Sequence, residues 1–475
     1  MSKFNKNTFT KTFNHEGHIA YKMDDKIKLV TQVLTSFFNE DKFYGDNSED
    51  LKSTLKRVIS TDPDFASRLA VFARREFNMR SVAHVITAYL AHESKGKEYV
   101  RKTVKGVCLR GDDVTEIMSF YLSEFGKPVP NSLKKGINDV MLTFDEYTMS
   151  KYKGDGKSVS MRDLLRICRP TPQDAEQSEM WKRCIDGELK TPVTWETELS
   201  AHGNNKETWT ELISSGKVGY MALLRNLRNI LNADPDNIDL VYSKLENPEA
   251  VRKSRQLPFR YLSAYKNLPA NAGSRVYDVL ENAAEASVAN MPKLKGTTVI
   301  AIDTSGSMGS RISGNSEIRC AEIAALLGVI ASRICENAVV YTFDTVCKNL
   351  NISHRSGILY TAIHTASAGG GTYMELPFIK MKRDRVKADR VVVISDNECN
   401  SPWRGTVQSY ADDYRFETGR NIWVHAIDIQ GYGSQQFKGE KTNIVAGWSE
   451  KVFDFINLAE EGESTIVNRI SEYSW

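Results

Sequence analysis

Oxygen-bearing side chains make up the sharpest chemical pattern in the sequence. The segment Asp303–Ser307 places one carboxylate and two hydroxyls at alternating positions directly after an apolar, β-branched stretch. A third hydroxyl, on Thr372, follows three consecutive glycines, and Asp396 comes at the end of another apolar stretch. Hard oxygen ligands suit Mg²⁺ or Mn²⁺, and the set contains no thiolate or imidazole that would favour zinc. We therefore predict one divalent ion bound by these side chains: Asp303, Ser305, Ser307, Thr372 and Asp396.

Four apolar stretches in the second half of the chain are expected to position these ligands. Each is rich in β-branched residues and ends in an aspartate, and helical segments lie between them. Continuous apolar strands that alternate with helices form parallel sheets covered on both faces, and ligands bind at the carboxyl ends of such strands. The stretches run over 298–303, 339–344, 391–396 and 423–428. We predict a doubly wound α/β domain over 296–475, with a linker at 293–296.

The ordered set of ligands resembles the metal-ion-dependent adhesion site of the von Willebrand factor A fold. The resemblance covers roughly residues 296–475 and implies a Rossmann-like domain that binds rather than catalyses. It also implies that the metal keeps one position open for an acidic group of a partner. The simpler alternative is that Ser305 and Ser307 cap a helix and that Asp303 and Asp396 are polar strand ends.

Catalysis is the weaker interpretation of the same residues. A metal-dependent hydrolase of phosphoesters stays open as an alternative, but such chemistry usually needs more carboxylates or a second metal. The sequence has no G-x-S-x-G nucleophile elbow at this position and no G-K-[ST] phosphate loop. Three histidines in this half follow no triad order: His354, His364 and His425. We therefore predict no catalytic residues and no enzyme.

Residues 1–293 show helical spacing and no strong strand pattern. Asp62 and Pro63 are a typical cap and first-turn proline, and the helix that they open carries Phe65, Leu69 and Phe72 on one face. A second amphipathic helix follows after about three residues, and two such helices form an antiparallel hairpin. We predict an all-α domain over 1–293.

A basic surface is predicted at 151–169. Lys151, Lys153 and Lys157 lie in a glycine-broken segment before Ser160, which with Asp163 forms a capping box for the next helix. Guanidinium forks reach two phosphate oxygens, so an arginine-faced helix after a lysine loop suits RNA phosphates. An ordinary solvated helix face is the alternative. Three arginines share one face of the predicted helix: Arg162, Arg166 and Arg169.

Other basic stretches are weaker candidates. Arg225 and Arg228 lie beside an apolar stripe of a further predicted helix, where they could track a nucleic-acid backbone. The stretches 74–80 and 252–260 are also rich in arginine, but a structural or solvated arginine explains each one better.

Three stretches in chain order resemble the Ro ribonucleoproteins and their TROVE domain. They are the basic segment 151–166, then Ala222–Ile230, then Arg255–Tyr265, and the A-type domain follows them. The opening of the chain and Glu40–Tyr44 make it similar to bacterial or phage members. The resemblance implies an all-α ring of HEAT-like repeats followed by the α/β domain. It places Lys151 at a basic RNA-contacting position and Arg169 where animal members carry histidine.

The resemblance also implies a function. Ro proteins bind small structured noncoding RNA of the Y class on an outer basic face, and hold single-stranded 3′ ends of misfolded RNA in a central hole. They act in RNA quality control or decay, sometimes with an exonuclease. We expect the same here, with an acidic protein partner at the metal. The alternative is a protein-interaction scaffold that uses its helices and the metal site. A scaffold would copurify with no RNA and show no steep salt dependence.

Composition limits the other possibilities. The 475 residues carry a net charge of only +3, so any RNA surface must come from local segregation of charge. No stretch approaches the ~18 apolar residues of a membrane span, and the N-terminus lacks the apolar core of a secretory signal. The seven cysteines include no C-x-x-C pair, which fits reduced thiols. We expect a cytoplasmic protein that binds neither membranes nor DNA.

Overall fold

The fold was obtained as a computed structural model. The structure describes residues 10–13, 19–22, 25–35, 49–312, 317–353, 355–396, 399–400, 405–429, 436–439, 441–446 and 451–475. The chain divides into two compact units, Met1–Pro192 with Glu461–Trp475, and Val193–Glu460. The boundary at 293–296 lies inside the second unit, so the division into domains 1–293 and 296–475 stays a prediction. Glu40–Tyr44 lies outside the described residues.

Helices account for most of the described chain. In order they are α1 (Asp25–Thr35), α2 (Glu49–Thr61), α3 (Pro63–Arg75), α4 (Ser81–His92), α5 (Val100–Val107), α6 (Asp113–Phe125), α7 (Asn131–Met141), α8 (Glu146–Lys151), α9 (Met161–Cys168), α10 (Ala175–Asp186), α11 (Trp195–His202), α12 (Lys206–Ser214), α13 (Tyr220–Ala233), α14 (Ile238–Glu246), α15 (Pro248–Ser254), α16 (Pro258–Lys266), α17 (Ser274–Ser287), α18 (Cys320–Ile334), α19 (Ile358–Thr365), α20 (Leu376–Arg383), α21 (Val407–Thr418), α22 (Val452–Glu461) and α23 (Glu463–Ser471). None of the helices in the described ranges has the length and apolar character of a membrane span.

The predicted helical hairpin near the start of the first unit is confirmed. Asp62 caps α3 by accepting a hydrogen bond from the Phe65 amide at 3.0 Å, and Pro63 occupies the first turn. The apolar face of α3 is buried, and α4 packs against it after a short break. The prediction missed an antiparallel strand pair, β1 (Thr10–Phe13) with β2 (Ile19–Lys22), in the stretch that was predicted to be helical.

A buried ion cluster stabilises this unit. Asp113 is fully buried, and three cationic or polar side chains surround its carboxylate. Arg80 Nε lies 2.5 Å from a carboxylate oxygen, His84 Nε2 lies 3.2 Å away, and an Arg74 guanidinium nitrogen lies 3.3 Å away. Burial alone raises the pKa of Asp113, but hydrogen bonds and charge from His84 and Arg80 outweigh it and hold the pKa well below its usual range. Arg74 and Arg80 therefore have a structural role in this unit, in line with the simpler interpretation of these two arginines.

The final residues of the chain belong to the same unit. Arg68 donates to the carbonyl oxygen of Tyr473 at 2.7 Å, and the Phe72 and Tyr473 rings meet edge to face at 5.2 Å. The Lys102 ammonium lies 4.0 Å from the centre of the Trp475 ring. These contacts hold the C-terminal segment on α3 and α5.

A six-stranded sheet forms the centre of the second unit, and it contains the four strands predicted from the aspartate-terminated stretches together with β5 and β8, which were not predicted. Its order is β5-β4-β3-β6-β7-β8, and all neighbours run parallel except the edge strand β5. The strands are β3 (Leu294–Asp303), β4 (Cys335–Phe343), β5 (Cys347–Asn349), β6 (Arg390–Ser395), β7 (Trp423–Asp428) and β8 (Thr442–Ala446). Strand β3 begins inside the stretch predicted to be a linker, because Leu294 already pairs with Cys335.

Close packing fixes α18 on the sheet. Gly328 faces Ile302 so closely that a Cβ atom would overlap with that side chain. Helices α16 and α17 contact the same part of the unit through charged groups. Lys266 Nζ lies 2.6 Å from both carboxylate oxygens of Glu322, and Glu281 accepts hydrogen bonds from the Leu359 and Tyr360 amides at the start of α19. Burial raises the pKa of Glu281.

A second buried network includes the N-terminal end of β6, whereas the predicted metal ligands follow the C-terminal ends of the strands. Arg390, at the start of β6, makes a two-pronged ion pair with Glu460 at 2.5 and 2.7 Å. His425 Nε2 lies 2.9 Å from the same carboxylate, and Asn443 lies 3.1 Å from the other ring nitrogen. Burial lowers the pKa of His425. The ring is fully buried and both of its nitrogens have partners, so the imidazole is part of the core.

Candidate functional site

The predicted metal ligands are delivered to one edge of the sheet. Asp303 ends β3, and Asp396 follows the end of β6, which pairs directly with β3. Asp303, Ser305, Thr372 and Asp396 are all buried, whereas Ser307 is exposed on a short 3₁₀ turn, Gly306–Gly309. Four buried oxygen-bearing side chains and one exposed hydroxyl form a polar edge that opens toward solvent at Ser307.

Hydrogen bonds orient the Asp303 carboxylate. One oxygen accepts from the Ser305 amide at 2.8 Å, and the other accepts from the Ser395 hydroxyl at 2.5 Å. The hydroxyl oxygens of Ser305 and Ser307 lie 3.2 Å apart. Burial raises the pKa of Asp303 to about 6, and the negative charge of Asp396 adds to the effect. A buried carboxylate destabilised in this way would be stabilised by a bound cation.

The glycine loop is held against the same turn. The Gly306 amide donates to the Gly370 carbonyl at 3.1 Å, and the Gly369 amide donates to the Thr304 carbonyl at 3.0 Å. These two bonds bring the loop that precedes Thr372 next to the segment that follows β3. With Asp396, which follows the strand paired to β3, three separated pieces of sequence meet at the carboxyl ends of these strands.

Asn400 fixes Thr372, and the sequence pattern did not reveal it. The Asn400 side-chain oxygen accepts from the Thr372 backbone N–H at 2.8 Å, and the Asn400 backbone N–H donates to the Thr372 carbonyl at 2.9 Å. A Cβ atom on Gly371 would come within 2.8 Å of the same Asn400 oxygen, so a larger residue here would push the Asn400 side chain aside. Ser395 was missed in the same way, since neither residue belongs to the D-x-S-x-S pattern.

The donor set fits a hard cation. No cluster of three histidine, cysteine or carboxylate side chains that could hold a metal occurs in the described part of the chain. The edge offers instead two carboxylates and three hydroxyls, which are oxygen donors of the kind that Mg²⁺ and Mn²⁺ accept. Thiols and imidazoles are absent from the set, so zinc is a poor match.

The basic segment lies on α8, α9 and the loop between them. The capping box is confirmed, because the Asp163 amide donates to the Ser160 hydroxyl and the Asp163 carboxylate accepts from the Ser160 amide. Helix α9 ends at Cys168, one residue before Arg169, which adopts a left-handed conformation with φ of 49°. Arg169 therefore caps the helix, and its placement on the helical face of Arg162 and Arg166 was wrong.

The predicted cations differ in their surroundings. Lys153 pairs with Asp155 at 2.8 Å and Lys157 with Glu116 at 3.0 Å, which offsets part of their charge. Arg162 is half-buried, with its guanidinium close to Gly187. The exposed cations of the segment are Lys151, Lys153, Lys157, Arg166 and Arg169. We call these five side chains the Lys151 surface.

Arg225 and Arg228 are exposed on α13, and the stripe of Leu223, Leu227 and Ile230 is buried as predicted. They belong to the second compact unit, whereas the Lys151 surface belongs to the first. The 252–260 stretch contains an exposed ion pair, Arg252 with Glu249 at 2.9 Å. Among the histidines, His364 is exposed and stacks on Tyr360, and His354 lies outside the described residues.

The fold and the polar edge define a class of protein, a helical domain followed by an A-type α/β domain with an oxygen-lined strand edge. Residues 24–188 and 186–307 match the family model of the TROVE domain, and residues 297–421 match that of the Ro60 vWA domain. The chain therefore belongs to the TROVE-domain family of Ro proteins.

Relatives in other organisms support this assignment. The chain is 26% identical over 344 residues to RNA-binding protein RO60 of Deinococcus radiodurans, covering 60% of this chain and 63% of that protein. It is 25% identical over 335 residues to telomerase protein component 1 of Rattus norvegicus, covering 52% of this chain and 13% of that protein. The chain thus spans less than two thirds of the length of these relatives.

A solved structure shows the same fold. The crystal structure of the Deinococcus radiodurans RO protein superposes with a TM-score of 0.70 at 18% identity, covering 94% of this chain and 99% of that one. This agreement confirms the predicted combination of a helical part with a C-terminal α/β domain.

Proposed function

We propose that this protein binds RNA through the Lys151 surface and acts in RNA quality control or decay in the cytoplasm. Its ligand there is a small structured noncoding RNA of the Y-like kind. The observation that carries the proposal is the exposure of five cations on one short segment of a chain whose net charge is only +3. The name of the Deinococcus relative, RNA-binding protein RO60, supports it.

Physical chemistry favours phosphate as the group that this surface binds. Arg166 and Arg169 are exposed and carry guanidinium forks that can each meet two phosphate oxygens. Binding through phosphates releases counterions from the RNA, so affinity falls steeply as salt rises. The contacts position an RNA without reading its bases.

Removal of the charges tests the proposal. The triple variant Lys151→Met, Arg166→Gln, Arg169→Gln should bind a blunt hairpin RNA more weakly in filter binding. The slope of log affinity against log salt should fall by up to about 0.7–0.9 for each lost phosphate contact. A control variant with the same charge change, Lys348→Met, Arg355→Gln, Lys387→Gln, alters exposed cations elsewhere and should behave as wild type. Unchanged affinity and slope in the first variant would remove the proposed site.

The second proposed site holds single-stranded 3′ ends of misfolded RNA, with Arg225 and Arg228 as its cations. In the ring that the family resemblance implies, these tails occupy the central hole. A positively charged channel follows a flexible backbone without sequence preference. An exonuclease that degrades the held RNA is a fitting partner for this site.

A second proposed role, protein binding, involves the predicted metal ligands. We propose that Asp303, Ser305, Ser307, Thr372 and Asp396 hold one Mg²⁺ or Mn²⁺ ion. The bound ion would supply a positive charge that attracts a carboxylate of a protein partner. The burial of both aspartates and the fixed loop around Thr372 support this assignment.

The scaffold alternative makes a different prediction about purified protein. A scaffold that binds only proteins would carry no RNA above background, whereas the RNA-binding protein proposed here should crosslink to cellular RNA. Sequencing the crosslinked RNA would also identify the natural ligand. No hydrolytic role is proposed for the metal edge, because metal-dependent hydrolysis of phosphoesters usually uses more carboxylates or a second metal than this set of two carboxylates and three hydroxyls offers.

A further inference from the structure

Two tyrosines adjoin the Lys151 surface, and phosphate binding alone does not account for them. Tyr147 lies one turn before Lys151 on α8, and 47% of its surface is exposed. The Lys151 ammonium lies 5.4 Å from the centre of the Tyr147 ring and 5.7 Å from that of the Tyr152 ring. Its Nζ also lies 3.3 Å from the Tyr147 hydroxyl. The lysine thus stands between two aromatic rings at the surface.

Arg110 extends the same arrangement. Its guanidinium lies 5.7 Å from the centre of the Tyr152 ring, and 52% of its side chain is exposed. The Tyr152 ring rests directly on the backbone at Gly111, where a Cβ atom would come within 2.5 Å of the ring. Leu109, in the same loop, is 51% exposed. Aromatic rings and cations therefore alternate across one continuous patch.

Two nearby acidic side chains are already paired with arginines. Asp112 pairs with Arg110 at 3.1 Å, and Glu146 pairs with Arg183 at 3.0 Å. A patch of exposed rings and cations suits a ligand that has both a planar face and a negative charge. A nucleotide has both, since its base stacks on an aromatic ring while its phosphate meets a cation. A cationic peptide would meet repulsion from Lys151.

We propose that Tyr147 and Tyr152, with Lys151 and Arg110, form a stacking site for an unpaired nucleotide of the RNA bound at the Lys151 surface. The inference rests on the proposed RNA-binding function and narrows its ligand. The preferred RNA is a hairpin with an unpaired base beside its duplex, and not a fully paired stem. Tyr147 provides the exposed face for the base, and Gly111 keeps Tyr152 in place behind the lysine.

Two RNA probes test the site, a blunt hairpin and the same hairpin with a short unpaired bulge. Tyr147→Ala should bind the bulged hairpin about tenfold more weakly, because one stacked base is lost, and should bind the blunt hairpin as wild type does. The salt slope should not change, since no charge is removed. Tyr147→Phe keeps the ring and should restore the affinity. Phe416→Ala, which removes an aromatic ring that is 89% exposed, is the matched control.

Fluorescence gives a readout that a purely structural tyrosine would not alter. A 2-aminopurine base in the bulge should be quenched on binding to wild type and to Tyr147→Phe, and much less on binding to Tyr147→Ala. Equal loss of both probes in Tyr147→Ala, or undiminished quenching, would overturn the stacking site. If the charge-removing triple variant also bound both probes normally, the RNA site itself would fail. If only the triple variant lost binding, the stacking site alone would be wrong.

Discussion

The Ser395 hydroxyl donates a hydrogen bond of 2.5 Å to a carboxylate oxygen of Asp303, and both residues are buried. Ser395 is the last residue of β6, whereas Asp303 ends the neighbouring strand β3. The serine therefore fixes the rotation of the carboxylate that the proposed ion needs. It acts through Asp303 and is a positioning residue, not a ligand in the predicted set.

Loss of this hydrogen bond should weaken the metal site. Residues that orient metal ligands typically contribute 10–100-fold in metal affinity, so Ser395→Ala should bind Mn²⁺ about tenfold more weakly or worse. Titration calorimetry or the electron paramagnetic resonance of free Mn²⁺ would measure it. Ser395→Thr retains the hydroxyl and should recover most of the affinity. Equal affinity in wild type and Ser395→Ala would show that Asp303 needs no such support.

Removal of a proposed ligand should have a larger effect. Asp303→Ala should abolish Mn²⁺ binding, and Asp396→Ala should weaken it, because each removes a negative charge that offsets the dication. Asp344→Ala is the matched control, since this aspartate also follows a strand at the same edge but lies outside the proposed set.

The same Asp303→Ala variant separates the two proposed functions. Hairpin RNA affinity should stay within about twofold of wild type, since the Lys151 surface lies in the other compact unit. Loss of RNA binding in a folded Asp303→Ala protein would contradict the proposal that the metal site and the RNA site act independently. Mn²⁺ binding at wild-type strength would contradict the metal site itself.

The tail-binding proposal has its own variant. Arg225→Gln with Arg228→Gln should weaken binding of a single-stranded 3′ tail and reduce the salt slope by about 0.7 for each lost contact to a single strand. Blunt-hairpin affinity should not change. A competition assay between tailed and blunt RNA measures both effects at once. If the Lys151-surface variant lost both ligands equally, separate sites would be unsupported.

The Arg390–Glu460–His425 network predicts a pH dependence of stability. Burial alone raises the pKa of Glu460, but Arg390 and His425 outweigh it and lower the pKa to about 2 from an ordinary value of 4.5. A carboxylate with a lowered pKa stabilises the fold above its unfolded pKa and loses this effect as pH falls toward the folded value. Wild type should therefore lose stability between about pH 4.5 and pH 2.

Glu460→Gln measures the contribution of this network. At neutral pH it should cost about 3 kcal/mol, because Arg390 is left buried without its partner charge. The difference from wild type should shrink below pH 4.5, as Glu460 becomes protonated. Thermal melts at several pH values give both results. Glu417→Gln removes a more exposed partner of Lys382 and should cost at most about 1 kcal/mol. A pH-independent difference would mean that Glu460 contributes through packing alone.

Local patterns account for the parts of the fold that could be predicted. The helix at Pro63–Arg75 follows from a cap, a first-turn proline and apolar spacing, all within a few residues. The aspartate-terminated strands follow from continuous β-branched runs. The proposed set of oxygen ligands came from the alternation in Asp303–Ser307, from the hydroxyl after the glycine loop and from the rule that parallel sheets bind ligands at the carboxyl ends of their strands. The pair β1 and β2 was missed because its strands are only four residues each.

The sequence by itself thus determined the fold class and the approximate position of the basic segment, because these depend on short-range spacing. Only the tertiary structure decided which side chains hold the proposed ligands in place and which cations of the basic segment are exposed. Ser395 and Asn400 are distant in sequence from the groups that they hold, Asp303 and Thr372. Arg169 does not lie on the predicted helical face, because α9 ends at Cys168, one residue before it. Burial, partner choice and helix termination depend on contacts between segments far apart in the chain, and no local spacing encodes them.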